Sequence, residues 1–430
     1  MTQTAKPAPY DQDYQNIGLR RGQGIDIKQG DMVNFAFDAV LVVPGGSGGE
    51  AVLAGNLGGM PAITRQLRLL ARSGARRLVV VHRPADREAL GPALASRWCP
   101  QNVEISLHSQ QHPNEALPGD LAQTLLILPA HHVLDHKCFA APRTYLSPDD
   151  ATLIWFGPKD QAQPAIQALL EDETPHWPST GAIPLPEGWL ASRADLGTIQ
   201  RLLWNSCRKP IDGIISRYVN RPLSLAISRT IVSLPVTPNQ ITLFSAAIGL
   251  AGAACVMAGG YAMALLGAVL LQIASILDGV DGELARVRVQ FSVLGEWFDT
   301  VADDVVNIAF VLAIGIARWR SGMVDEWTAL ALGTAGVMML VAIIYYVWIA
   351  RAGRGDILSV DWFDPSPAAN TGLFARLQAL GTTLFRRDFM IAMLLLAALF
   401  GAVHLALVPI AFGEVIILGA QAVRLVSRTR

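Results

Sequence analysis

The sequence predicts a multidomain chain. An α/β domain, Rossmann-like in its alternation, occupies 34–195. An all-α domain of six membrane-crossing helices occupies 236–430. A polar tail over 1–33 precedes the first, and a juxtamembrane helix over 196–235 joins the two. Three observations predict this. Apolar strand-like runs alternate with amphipathic helical ones in the first part. After 236, apolar runs of about 20 residues, the length of one crossing, recur. The chain is also 52% hydrophobic and only 16% charged, with a mean hydropathy of +0.36, high for a soluble protein. A net charge of -1 argues against a nucleic-acid partner, which calls for a basic surface.

Ala39 to Gly46 (AVLVVPGG) reads as a buried strand entering a glycine-rich turn, and Pro61 to Gly74 as an amphipathic helix with Pro near its start and Gly at its end. Arg76 to His82 is a second strand. EALGPALASRW is a helix, VEISL a strand, and Thr124 to Ala130 another strand. Strands alternating with helices imply a parallel, doubly wound sheet. The Pro-rich segment Thr174 to Pro186 suits a boundary or final loop. Cys99, Cys138, Cys207 and Cys255 have no metal-finger spacing and read as ordinary thiols. The first residues lack a basic stretch leading into an apolar one, so no signal peptide is expected and this domain is expected to stay cytoplasmic.

The order strand, glycine turn, Gly58-Gly59-Met60-Pro61, helix, strand resembles the sugar-phosphate nucleotidyltransferase fold. In that fold the glycine loop carries an Arg, a Lys follows, and a later strand ends in a metal-binding Asp. Here Gly45 to Gly59 contains neither Arg nor Lys, and His131 falls where the Asp would be. Nothing then neutralises a triphosphate or positions its metal, so a retained fold without catalysis is expected. His131, His132 and His136 could be offered as a metal cluster, but adjacent strand residues point to opposite faces, and loop or core histidines are the expectation.

Residues 196–235 mix Arg and Lys with Leu, Ile, Trp and Tyr, as a helix in the cytoplasmic membrane interface does. Pro210 and Pro222 are expected to break it into pieces. Spans are placed at 240–259, 261–281, 293–317, 327–350, 388–406 and 407–425. With a cytoplasmic N-terminus, the arginines at 286, 288, 351, 354, 376, 386, 387, 424, 428 and 430 all fall inside, and the C-terminus is cytoplasmic too. Arg318 and Arg320 are exceptions, offset by Asp325 and Glu326.

The chemistry lies in Asp278 to Asp303, DGVDGELARVRVQFSVLGEWFDTVAD, set between apolar runs. An ionised Asp at a helix centre costs roughly 2.5–3.5 kcal/mol on insertion scales, so four together need a compensating partner. Asp278 and Asp281 are three apart, and Asp299 and Asp303 four apart, so each pair shares one helix face. Two such faces brought together would form a carboxylate site suited to Mg²⁺ or Mn²⁺. Small residues at Gly282, Ala285 and Gly295 leave room between helices for a bulky group. Asn239 and Thr242 share a face at the opening of the first span, near the entrance to the carboxylates; a plain helix cap is the alternative. Arg386 and Arg387 open the fifth span, either as an anion clamp near the carboxylates or as charges anchoring the cytoplasmic side.

Asp278-x2-Asp281-Gly282-x2-Ala285-Arg286-x8-Gly295-x3-Asp299-x3-Asp303 resembles the signature of the CDP-alcohol phosphotransferases at every fixed position. KPIDGIISRYVNRPLS, VTPNQIT and RRDF look most like the di-myo-inositol-phosphate-phosphate synthase branch, which also fuses a cytidylyltransferase domain at its N-terminus. The resemblance implies transfer of a substituted phosphate from a CDP-linked donor to an alcohol acceptor, with release of CMP. It makes Asp278, Asp281 and Asp299 ligands of two divalent ions, and Asp303 the general base and a partial ligand. It places Gly282, Ala285 and Gly295 against the nucleotide, Arg286 on a phosphate, and Asn239 and Thr242 along the nucleotide pocket. It also implies a homodimer. If the N-terminal domain is inactive, CDP-diacylglycerol with a small acceptor is an alternative to CDP-inositol with a polyol phosphate. A divalent-cation transporter would explain the aspartates but not the small residues and Arg286 at their spacing.

Overall fold

The computed structural model describes residues 37–44, 55–72, 74–110, 120–122, 124–130, 154–158, 162–170, 182–183, 196–208, 212–352 and 386–428, with the single positions 53 and 117. The polar tail, most of the glycine-rich segment, His131, His132 and His136, Pro210 and the loop 353–385 lie outside them.

In chain order the sheet region runs β1 (Asp38–Val42), β2 (Asn56–Leu57), β3 (Met60–Pro61), α1 (Ala62–Arg72), β4 (Arg77–His82), α2 (Arg87–Leu94), β5 (Glu104–Ser109), β6 (Thr124–Pro129), β7 (Ile154–Pro158), α3 (Gln163–Leu170) and β8 (Ala182–Ile183). The sheet order is β5-β4-β1-β6-β7-β8. The expected parallel core is there: β1 pairs in parallel with β4 and β6, and β4 with β5. The sheet is mixed rather than wholly parallel, because β7 and β8 add antiparallel. β8 falls inside the Pro-rich stretch expected to be loop. Strand direction is set by where the intervening chain crosses, which local pattern does not record.

Side chains of the central strands alternate between two cores. Ala39, Leu41, Leu78 and Val80 face α1. Val40, Val42, Val79 and Val81 pack with Ile166 and Leu170 of α3. Both faces of β1 are therefore covered, which is why Ala39 to Val42 is an unbroken apolar run, while Asp38 at the start of the strand is buried against Arg77 and the Ala122 N–H.

The helical region comprises α4 (Leu196–Asn205), α5 (Arg221–Ile231), α6 (Pro238–Ala258), α7 (Tyr261–Val287), α8 (Val293–Arg320), α9 (Glu326–Ala352), α10 (Arg387–Leu399) and α11 (Leu407–Arg428). The expected break at Pro222 does not occur. Pro222 sits in the first turn of α5, where it disturbs the helix least, and a π-turn over Ser216–Asn220 widens the helix just before it. Leu203, Trp204 and Cys207, beside or within α4, pack with Leu225 of α5 against Val280, Leu284 and Val287 of α7.

α6 opens with a capping box. Thr237 Oγ1 accepts from the Gln240 backbone N–H at 3.3 Å, and Gln240 Oε1 accepts from the Thr237 N–H at 2.9 Å. It crosses α7 backbone to backbone: a Cβ on Gly252 would lie 2.7 Å from the Gly267 carbonyl oxygen, and one on Gly267 2.5 Å from that of Gly252. Among the described residues four helices are long and apolar enough to cross a membrane: Pro238–Ala258, Tyr261–Val287, Val293–Arg320 and Glu326–Trp348. The fifth expected position is divided. α10 has 13 residues and rises only about 20 Å at ~1.5 Å per residue, and a 3-10 turn over Val403–Ala406 then leads into α11. Arg318 pairs with Asp325 across the α8–α9 turn, the charge offset expected there.

Candidate active site

α7 continues past its apolar run through Asp278, Asp281, Gly282, Ala285 and Arg286, and ends at Val287. Five residues later Ser292 caps α8, its side chain accepting from the Gly295 N–H at 3.0 Å, so that Asp299 and Asp303 lie in the following turns. The turn thus folds the two aspartate-bearing helices against each other.

Asp278, Asp299 and Asp303 each bring one carboxylate oxygen into a group whose members lie within 4.8 Å of one another. At that distance and an effective dielectric near 20, two ionised carboxylates repel by about 3 kcal/mol. The group therefore calls for positive charge. Arg387, at the start of α10, provides some: its Nη1 ion-pairs with Asp303 and lies 3.4 Å from Asp278 Oδ2. Asp278 Oδ1 is buried with no hydrogen-bond partner among the described residues. A lone pair of that kind, in a half-buried all-oxygen group, fits a hard divalent cation.

The fourth aspartate is placed differently. Asp281 is 5% exposed and accepts hydrogen bonds from the Thr242 hydroxyl of α6 and from the Gly282 N–H. It remains close enough to Asp278 and Asp299 to feel both charges. Thr242 therefore orients an aspartate, a task its position at the span opening did not reveal.

The remaining expected residues surround this group. A Cβ on Gly282 would sit 3.3 Å from Arg286 Nη1, so the guanidinium lies over that glycine. A Cβ on Gly295 would meet Asn239 Oδ1 at 3.2 Å, which brings Asn239 of α6 to the N-terminus of α8. Ala285 is half-buried on the same helix. Arg386 stands at the N-cap of α10, and among the described residues no hydrogen bond or ion pair joins it to the aspartates. Of the two arginines, Arg387 is the one at the site. A small cavity lined by Ser245, Ala274, Ala302, Asp303, Val306 and Arg387 opens beside the group.

Two supporting contacts escaped the sequence reading. Glu283, fully buried, accepts from Arg221 Nη1 at 2.7 Å and from the hydroxyls of Ser224 and Ser228, each at 2.6 Å. Arg221 is held further by Asp212 at 3.0–3.1 Å. This network fixes α5 to α7 beside Gly279, next to Asp278; an acidic residue amid the motif's apolar positions was its only sign. Asp388, next to Arg387, accepts from the Ser216 N–H at 2.8 Å and so ties the start of α10 to the segment before α5.

Residues 235–421 match the CDP-alcohol phosphatidyltransferase family. The chain carries a domain of that family. It is 34% identical over 196 residues to a protein of Rubrobacter xylanophilus named bifunctional IPC transferase and DIPP synthase, covering 46% of this chain and 38% of that one. It is 39% identical over 121 residues to the Aquifex aeolicus protein of the same name, covering 28% and 27%. With the archaetidylinositol phosphate synthase of Pyrococcus horikoshii it shares 32% identity over 108 residues, covering 24% and 53%. The matched stretches thus span well under half the length of the first two relatives.

Proposed function

We propose that this chain is an integral-membrane transferase that moves a substituted phosphate from a CDP-linked donor to an alcohol acceptor and releases CMP. The observation that carries this reading is the convergence of Asp278, Asp299 and Asp303 from two helices within 4.8 Å, inside a domain of the CDP-alcohol phosphatidyltransferase family.

Asp278, Asp281, Asp299 and Asp303 would hold two Mg²⁺ or Mn²⁺ ions, which when bound offset the diphosphate's charge and stabilise the departing CMP. Asp303 takes the proton of the acceptor hydroxyl. The acceptor oxygen forms a bond to the phosphorus bearing the donor's alcohol group, and the P–O bond to the CMP phosphate breaks, its electron pair leaving with CMP. No covalent enzyme intermediate is needed. Gly282, Ala285 and Gly295 admit the cytidine, with Asn239 and Thr242 bordering it, and Arg286 contacts a donor phosphate. Arg387, with Arg386 beside it, receives a phosphate on the acceptor.

The relatives named DIPP synthase support inositol-phosphate substrates. The relative named archaetidylinositol phosphate synthase supports the second reading, a lipid-linked CDP donor such as CDP-diacylglycerol. We place six spans in the inner membrane with the sheet region and C-terminus on the cytoplasmic side, residues 196–235 in the interface, and a homodimer as the working unit. The exposed Ile214, Tyr218 and Leu223 support the interfacial placement. Purified protein with Mg²⁺ or Mn²⁺ should release CMP from one member of a panel of CDP-inositol and CDP-diacylglycerol donors with polyol-phosphate acceptors. Asp303→Asn should abolish release. Cation flux in liposomes without turnover would instead support the transporter.

A further inference from the structure

The turn that joins the two aspartate helices is gripped by the sheet region. α7 is 27 residues long, and the carbonyls at its C-terminal end carry the negative end of its dipole. Three arginines of α1 converge there. Arg65 Nε donates to the Val287 carbonyl at 2.9 Å. Arg68 donates to those of Arg288 and Val289 at 3.0 and 3.3 Å, and Arg72 to that of Val289 at 3.2 Å. The Arg72 guanidinium also lies 4.4 Å from the centre of the Phe291 ring.

The turn itself enters the other region's core. Val289 is fully buried within the cluster formed by β1, β4 and α1, although it belongs to the helical region by chain position. Its φ of 54° is one that β-branched residues avoid, so the surrounding packing must hold it. From the other side the Gly58-Gly59 turn presses in. A Cβ on Gly58 would lie 2.3 Å from Val287 Cγ1, and one on Gly59 2.1 Å from the Val232 carbonyl oxygen, so no side chain fits there. Arg288, fully buried, completes the lock by donating to the carbonyls of Val232, Leu234 and Val236 between α5 and α6. Burial first, then the charges of Arg97 and Arg68, brings its pKa down to about 10.

We propose that the sheet region is the positioning element of the metal site: by clamping residues 287–291 it sets how α7 lies against α8, and so how closely Asp278 meets Asp299 and Asp303. This rests on the metal reading above and gives the N-terminal region a task independent of nucleotidyl transfer. Arg65, Arg68 and Arg72 act on backbone carbonyls of the turn; they are positioning residues.

The test is Mn²⁺ binding by the full-length protein in detergent, followed through loss of the free-ion electron paramagnetic resonance signal. Arg68→Gln removes the donors to Arg288 and Val289 and is expected to weaken Mn²⁺ binding about tenfold, the low end for supporting residues around a metal site. Arg72→Gln, which loses one carbonyl bond, should weaken it less. Arg77→Gln breaks pairs with Asp38 of β1 and with Asp120 ahead of β6; among the described residues no bond joins Arg77 to the turn, so Mn²⁺ affinity should be unchanged. If Arg68→Gln fails to fold, Arg72→Gln carries the test alone. Wild-type affinity in the folded arginine variants, with the wild-type protein binding Mn²⁺, overturns this inference and spares the metal reading. No Mn²⁺ binding by the wild-type protein overturns both.

Discussion

Replacing Thr242 by Val removes one hydroxyl and almost nothing else. The two side chains are nearly the same shape, so the packing of α6 against α7 should survive. What is lost is one of the two donors that orient Asp281, the other being the Gly282 N–H. Thr242 is 4% exposed, so water cannot readily take its place. A hydrogen bond to a charged group contributes roughly 1.5–3 kcal/mol. If that energy holds Asp281 in its working position, its loss lowers turnover by about 10- to 150-fold, at ~1.4 kcal/mol per factor of ten. The assay is CMP release over a range of Mg²⁺ concentrations. Thr242→Val should lower the maximal rate and shift half-saturation to higher Mg²⁺, and Thr242→Ser, which keeps a hydroxyl, should recover most of the loss. A Val variant within twofold of wild type at all Mg²⁺ concentrations would refute the reasoning and leave Thr242 as packing alone.

Three further outcomes are expected. Glu283→Ala leaves the buried Arg221 guanidinium with the Asp212 carboxylate and takes the carboxylate acceptor away from the Ser224 and Ser228 hydroxyls. Removing one member of a buried pair costs about 3–5 kcal/mol, and the Asp212 contact puts this case near the lower end, read as a lower unfolding temperature in detergent. Arg387→Gln should raise KM for a phosphorylated acceptor about tenfold or more, the value of a charge-assisted contact, while an unphosphorylated analogue shows no such shift. The sheet region should transfer no nucleotide: in an Asp303→Asn background, CTP with a sugar or polyol phosphate should yield no pyrophosphate, and its appearance would show an active second site.

Much of the site was legible because it is local. Asp278 and Asp281 one turn apart, Asp299 and Asp303 one turn apart, and glycine and alanine between them are regularities of single helices, so spacing alone put each pair on one face. The central strands were legible for the same reason: Ala39 to Val42 of β1, covered on both faces, are apolar at every position. Contacts made by residues far apart in the chain were not legible. Arg65 bonds to Val287 and Ser216 to Asp388, and nothing in the neighbouring residues marks either pair; Thr242 was expected near the carboxylates, but not that Asp281 is the one it bonds. Arg386 and Arg387 looked alike in sequence, and only packing turned Arg387 toward the aspartates.

Pattern along the chain specified the α/β-then-helical order, four apolar helices at their expected positions, and the motif shared with the family that residues 235–421 match. Hydrophobic period and fixed spacing are properties of short segments, and they survive whatever those segments pack against. Tertiary structure alone decided that β7 and β8 run antiparallel, that Asp281 turns to Thr242 while the other three aspartates gather, and that Val289 of the helical region is buried in the core of the sheet region. Each depends on which surfaces meet after the chain has crossed itself, and that is a property of the whole fold.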